Sequence, residues 1–187
     1  MNGKPEKTDG TNVTIDYGFF DTPVGVALIA ATERGVCALR LGASEGDADA
    51  KLADLQCDCP RAGATLRENT LAVQPYADLL RDFLAARTQT FTPRLDIQAG
   101  TPFQREVWTE LQRIAPGERI SYTELAARVG RPQAVRAVAG ACARNGIAIA
   151  VPCHRVLRSD GSLSGYRWGL EWKRRLLDRE TQGRPLG

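Results

Sequence analysis

Three short runs of apolar and β-favouring positions come first, at residues 13–20, 25–30 and 35–41. Asp21-Thr22-Pro23 and Thr32-Glu33-Arg34-Gly35 interrupt them with turn-forming residues, so the pattern predicts an antiparallel meander. The period then lengthens. Residues 47–56 and 66–87 carry apolar positions at helical spacing, and in the second stretch Leu71, Tyr76, Leu79, Leu80, Phe83 and Leu84 share a face. Residues 93–97 read as one more short strand. Residues 1–12 are polar and carry Gly and Pro, which predicts a tail. Residues 13–98 therefore read as a small α+β unit, and nothing in it looks catalytic.

A second pattern begins at Thr101, a good N-cap, with Pro102 suited to the first helical position. Phe103, Val107, Trp108, Leu111 and Ile114 recur at helical spacing until Pro116-Gly117 breaks them. Ser121 with Glu124 three residues on is a capping box, and its helix runs to about Val129. Gly130-Arg131-Pro132 is a turn, and residues 133–144 form a third helix that Asn145-Gly146 stops. Helix, glycine-bearing turn, helix is the outline of a helix-turn-helix. Residues 147–151 look strand-like, and 164–169 form a glycine-bracketed loop. A closing helix over 170–180 carries Lys173, Arg174, Arg175 and Arg179 on a basic side. The expected fold is thus an α+β N-terminal unit followed by a mainly α, winged-helix-like domain over 99–182, with 183–187 a tail.

Charge sharpens this division. Residues 1–99 hold 10 Lys+Arg against 14 Asp+Glu, and residues 100–187 hold 15 against 8. A basic half on an acidic half points to a polyanion as partner. No apolar run reaches transmembrane length and no secretory segment follows Met1, so no membrane partner is expected. Five cysteines, an odd number, fit a reducing compartment with free thiols. Cys57-Asp58-Cys59 is too tight for a zinc site with one histidine in the whole chain. The expected metal complement is none.

That histidine, His154, adjoins Cys153 in Val151-Pro152-Cys153-His154-Arg155-Val156. A cysteine reacts as its thiolate, which a neighbouring base favours. The dipeptide alone is equally compatible with a buried structural cysteine, since adjacent side chains usually point apart. Upstream, the third helix is slim, mostly Ala, Gly and Val, with Gln133, Arg136 and Arg144 as its long side chains. A major-groove reader needs several long polar side chains. A slim helix can instead approach a backbone or enter a minor groove, and a planar guanidinium such as Arg136 can stack where a base has left. The same composition also fits a helix packed in a core.

Taken in order, Thr101-Pro102-Phe103-Gln104, Val107-Trp108, Gly117-Glu118, Ser121-Tyr122, Arg136-Ala137-Val138, Asn145, Pro152-Cys153-His154-Arg155-Val156 and Asp160-Gly161 resemble the methylated-DNA–protein-cysteine methyltransferases. Ser164-Gly165-Tyr166-Arg167-Trp168-Gly169 looks especially like the C-terminal half of that family's bacterial Ada branch. The resemblance is dense over 99–180 and thinner over 13–97. Two departures stand out. The family usually has Asn-Pro where this chain has Asn145-Gly146, and some members bind zinc through N-terminal Cys and His, where no histidine is available here.

What the resemblance implies is specific. Cys153 would accept an alkyl group from O6-alkylguanine, or from O4-methylthymine, in double-stranded DNA, once per molecule and without a cofactor. His154 would take the thiol proton through a water, oriented by Glu180. Asn145 would be the hinge and Tyr122 the proton donor to the leaving base. Arg136 would fill the vacated stack, with Gln133, Ala137 and Arg144 beside it in the minor groove. The carbonyls of Cys153 and Val156 and the amide of Arg167 would read the base, and Trp168, Tyr166 and Ala148 would shape the pocket. A monomer in the cytoplasm, with the nucleoid, is expected. The sensor module of full Ada proteins has no counterpart in this sequence, so no transcriptional role is expected of it. A Cys–His hydrolase and a helix-turn-helix regulator with a structural Cys153 are the rival readings.

Overall fold

The structure, a computed structural model, describes residues 13–23, 25–42, 48–58, 64–97 and 99–186. The tail expected over 1–12, and Cys59, lie outside these. The meander forms as expected: β1 (Thr14–Thr22), β2 (Gly25–Thr32) and β3 (Gly35–Leu41) pair antiparallel. β2 is buried from Val26 to Thr32, because both sheet faces are covered. Ala27 and Ile29 face the main core, while Leu28 and Ala30 face a smaller cluster with Leu55 of α1 (Ala48–Asp58).

The long helix expected over 66–87 is shorter. Thr65–Glu68 form β4, parallel to β1 at the sheet edge, and α2 spans only Thr70–Leu84. Two local devices set the break. Arg67 reaches Asp16 on β1 at 2.6 Å, and the Asn69 side chain caps the helix by accepting from the Ala72 amide at 3.3 Å. The strand expected over 93–97 shrinks to one parallel bridge, Val36 with Leu95. Pro93 has no N–H to extend it.

In the second part, α3 (Pro102–Leu111) and α4 (Tyr122–Arg128) both start with complete capping boxes, Thr101 with Gln104 and Ser121 with Glu124. Such caps contribute on the order of 1 kcal/mol each. The third helix, α5 (Val135–Ala143), begins two residues late, since Arg131–Ala134 closes as a turn with the Ala134 amide on the Arg131 carbonyl at 2.8 Å. Gln133 therefore lies ahead of the helix. Trp108 ties α3 to α5 by donating Nε1–H to the Ala141 carbonyl at 2.9 Å. β5 (Ile120–Ser121) and β6 (Val156–Leu157) pair parallel, and α6 (Leu170–Gln182) closes the domain.

Three other expectations change. Residues 147–151 are a turn, not a strand. Ile147 makes one bridge to Leu39, and the Val151 amide then folds back on the Ile147 carbonyl at 3.1 Å. Buried Ile149 adopts φ 66° inside it, a costly conformation for a β-branched residue. Nor does α6 have a basic side, because Lys173 and Arg179 are buried. Arg179 donates to the Phe83 carbonyl at 2.7 Å and lies over the Phe83 ring at 3.8 Å. Finally, residues 183–186 are not a loose tail. Gly183 ends α6 in the left-handed region, and Leu186 returns to bury its side chain and bond Leu84 through the backbone at 2.8 Å. One apolar core spans both parts, joining Ile29 and Leu80 to Trp108, Val138 and Leu176.

Candidate active site

Cys153, His154 and Arg155 form a single 3-10 turn between the 147–151 turn and β6, all three buried. The tight turn lets adjacent residues serve different sides. His154 is fully buried and approaches Glu180 of α6, Nε2 to Oε1 at 3.0 Å. A carboxylate can only accept, so Nε2 carries the proton and Nδ1 keeps a lone pair. Nδ1 has no protein partner among the described residues. Glu180 is fixed in turn. Arg155 grips it through Nη2 at 2.6 Å and Nε at 3.0 Å, and the Gly117 amide donates to Oε2 at 3.2 Å. Arg155 itself is anchored to the Ile114 carbonyl at 2.5 Å.

The sulfur is held from the other side. Asn145 Nδ2 donates to Cys153 Sγ at 3.1 Å and to the Val151 carbonyl at 2.7 Å, while its Oδ1 accepts from the Ile147 amide at 2.9 Å. All three hydrogen bonds of that buried amide serve the turn that carries Cys153 or its sulfur.

Electrostatics follow from burial. Desolvation pushes the Cys153 thiol up to about 11, although the Asn145 bond and the Lys173 charge pull the other way. Desolvation also lowers His154, against the bond and charge of Glu180, so the imidazole is neutral at physiological pH. For Glu180, burial works to raise the carboxyl, but hydrogen bonds from His154 and Arg155 outweigh it and bring it to about 2. The resting site is thus a neutral thiol and a neutral base backed by a fixed carboxylate, arranged for proton removal when a substrate arrives.

The other expected residues divide into groups. Tyr122, first in α4, bonds Ser164 Oγ at 2.7 Å, and burial raises its hydroxyl against that bond. The carbonyls of Cys153 and Val156 already accept one donor each, the Val156 amide and Lys173 Nζ, the latter at 2.7 Å. Each keeps a second lone pair. Tyr166 packs edge-on to His154, with ring centroids 6.5 Å apart, and half-buried Trp168 packs edge-on to Tyr166 at 5.1 Å. The Arg167 guanidinium reaches Asp54 of α1 at 2.9 Å. Ala148 is fully buried and bonds Leu39 of β3 through its amide at 3.0 Å, on the side facing the N-terminal sheet.

On α5, Val138, Ala141 and Cys142 point into the core, which leaves Arg136, Ala137, Gly140 and Ala143 exposed. Arg144, the C-cap, and Gln133, before the helix, are exposed as well. No cluster of three or more His, Cys, Asp or Glu side chains is placed to hold a metal among the described residues.

A profile of the 6-O-methylguanine DNA methyltransferase DNA-binding domain matches residues 102–182. The methylated-DNA–protein-cysteine methyltransferase of Mycolicibacterium paratuberculosis is 37% identical over 171 residues, which cover 91% of this chain and 95% of that protein. The chain belongs to the methylated-DNA–protein-cysteine methyltransferase family. The fold agrees with that assignment: a crystal structure of Mycobacterium tuberculosis OGT in complex with DNA superposes with a TM-score of 0.72 at 33% identity, covering 92% of this chain and 96% of that one. The bifunctional transcriptional activator/DNA repair enzyme Ada of Escherichia coli is 44% identical over 186 residues, 97% of this chain. This chain spans about half the length of the Ada proteins it matches.

Three residues at this site carry little signal of a role in the sequence. Arg155 was visible only as part of a motif, Ser164 only as part of a loop, and Lys173 as one of several surface cations. Lys173 is in fact fully buried, bonded to Val156 and to Ser164 Oγ at 3.2 Å. The available signal was its phase, since it falls four residues before Leu177 and seven before Glu180, on the inward face of α6.

Proposed function

We propose that this chain repairs double-stranded DNA by moving an alkyl group from O6 of guanine, and from O4 of thymine, onto Cys153. The observation that carries this reading is the buried array in which Asn145 holds the sulfur while Glu180 leaves His154 with a free Nδ1. An O6-alkyl group lies inside the duplex, so the nucleotide must rotate out, at a cost of a few kcal/mol. His154 Nδ1 takes the thiol proton through a water. The thiolate attacks the alkyl carbon, the C–O6 bond breaks, and Tyr122 protonates the departing base. The second lone pairs on the Cys153 and Val156 carbonyls accept the base's amine, and the Arg167 amide donates to its oxygen. The thioether product has no facile hydrolytic exit, so each molecule reacts once and needs no cofactor.

Binding follows from the surface. We read α4, the turn and α5 as the helix-turn-helix of a winged-helix-like domain over 99–182, with β5 and β6 beside it. The slim exposed face of α5 enters the minor groove, flanked by Gln133, Ala137 and Arg144, and Arg136 fills the gap in the stack. The protein would act as a monomer in the cytoplasm, at the nucleoid. Arg136→Ala should slow repair in duplex DNA by about tenfold or more, because the stack loses its replacement, while reaction with free alkylguanine base changes little. Single-turnover rates on both substrates test this, and equal losses would remove the stacking role.

Pocket width depends on the row Trp168–Tyr166–His154. A wide indole there should suit methyl and disfavour benzyl adducts. Trp168→Gly should therefore raise inactivation by benzylguanine selectively. An unchanged benzyl-to-methyl ratio would mean that Trp168 only packs against Tyr166.

A further inference from the structure

The N-terminal sheet meets the turn that leads to the reactive cysteine through backbone bonds and one buried, charged side chain. β3 is the edge strand of its sheet, and its free edge continues into the hinge turn. The Leu39 amide donates to the Gly146 carbonyl at 3.1 Å, and the Ala148 amide donates to the Leu39 carbonyl at 3.0 Å. Arg40, next along β3 and 2% exposed, adds a charged donor, Nη1, to the same Gly146 carbonyl. The residue before that carbonyl is Asn145, which holds the Cys153 sulfur. A cavity opens behind Asn145, lined by Cys37, Arg40, Arg144, Gly146 and Val151 among others, so packing alone does not brace the hinge from this side. A Cβ placed on Gly146 would lie 3.2 Å from Arg40 Cζ and Nη2 and closer still to Nη1. The guanidinium therefore occupies the space that any side chain at position 146 would need.

We infer that Arg40 is a positioning residue for Cys153: a guanidinium clamp from the N-terminal sheet that fixes the Asn145-Gly146 hinge and, through Asn145, the sulfur. The inference rests on Cys153 being the acceptor. It gives the N-terminal unit a part in reactivity as well as in packing. A charge-assisted hydrogen bond is roughly twice as strong as one between neutral groups, and small displacements of a nucleophile are expensive in rate.

The test uses the full chain with Arg40→Met, Arg40→Lys, Gly146→Ala and the double variant Arg40→Ala/Gly146→Ala. Three quantities are read: single-turnover methyl transfer from methylated duplex DNA, Kd for that duplex, and the rate of Cys153 alkylation by iodoacetamide across pH. Arg40→Met should lose about tenfold in transfer, shift the pH profile of Cys153 alkylation, and keep Kd within about twofold, as expected for a change remote from the DNA face. Arg40→Lys should restore most of the rate. Gly146→Ala should reproduce the loss by displacing the guanidinium, and should add nothing further once Arg40 is alanine. An unchanged transfer rate and alkylation profile in folded Arg40→Met would overturn the clamp. So would losses that merely track the unfolded fraction, or Arg40 and Gly146 effects that add in full. If wild-type Cys153 gained no methyl at all, the acceptor reading would fail, while the alkylation profiles would still report on the clamp.

Discussion

Cys153→Ala should abolish methyl transfer, a loss of at least about 10³-fold, and leave duplex DNA binding near the wild-type level. Among the described residues of the site, the sulfur, once deprotonated, is the strongest nucleophile for displacing a base from an sp3 carbon. His154 Nδ1 could activate a water in its place, but water is a far weaker nucleophile than a thiolate toward an sp3 carbon. The exposed residues of α5, Arg136 and Ala137 among them, lie apart from the buried Cys153, so binding and chemistry should separate cleanly if that face meets DNA. Cys37→Ala and Cys142→Ala should transfer normally. Burial drives the Cys142 thiol far above its ordinary range, so it is a poor nucleophile. Transfer rates and duplex Kd for the three variants check this, and residual transfer by Cys153→Ala would point to another acceptor.

The second large effect belongs to Glu180. Glu180→Gln keeps the shape but removes the charge that favours a protonated His154, and it leaves Arg155 buried with a weaker partner. Transfer should fall about 10²-fold at neutral pH, and stability should fall by about 3 kcal/mol. The pH dependence makes the assignment specific. In the wild type, desolvation keeps His154 below 6.5, so the rate should hold from neutrality into mild acid and drop only when the imidazole protonates. Without the carboxylate that acid limb should move lower still. At alkaline pH, approaching the thiol's value of about 11, the thiolate forms without a base and the deficit should narrow. A deficit constant from pH 6 to 10 would make Glu180 purely structural.

Stability should carry the same signature. Glu180 titrates near 2 in the fold against 4.5 ordinarily, so its contribution is complete above 4.5 and is lost as pH falls toward 2. His154, lowered in the fold, adds a loss that begins as pH falls through 6.5. Thermal midpoints of wild type and Glu180→Gln should therefore converge in acid.

Much of this site was legible because its chemistry is local in sequence. Cys153 and His154 adjoin, and the capping boxes at Thr101 and Ser121 mark helix starts with side chains three residues apart. Other features depended on tertiary contacts. Residues 66–68 carry helix-compatible spacing, yet pairing with β1 made Thr65–Glu68 a strand. Residues 147–151 are apolar enough for a strand, but the hydrogen bonds of the buried Asn145 side chain bend them into the turn that presents Cys153. Lys173 and Arg179 look like surface cations because composition does not report phase, and only the helix registry places them inward. Arg40 was the least visible. An arginine in an apolar strand finds its purpose 106 residues later, at Gly146.

The most direct test is the intact mass of the protein after incubation with excess O6-methylguanine duplex DNA. Single transfer to Cys153 predicts one added methyl group per molecule, found on the peptide that contains Cys153, with an equal amount of guanine restored in the DNA. Unchanged protein mass with restored guanine, or guanine restored well beyond one equivalent, would contradict it.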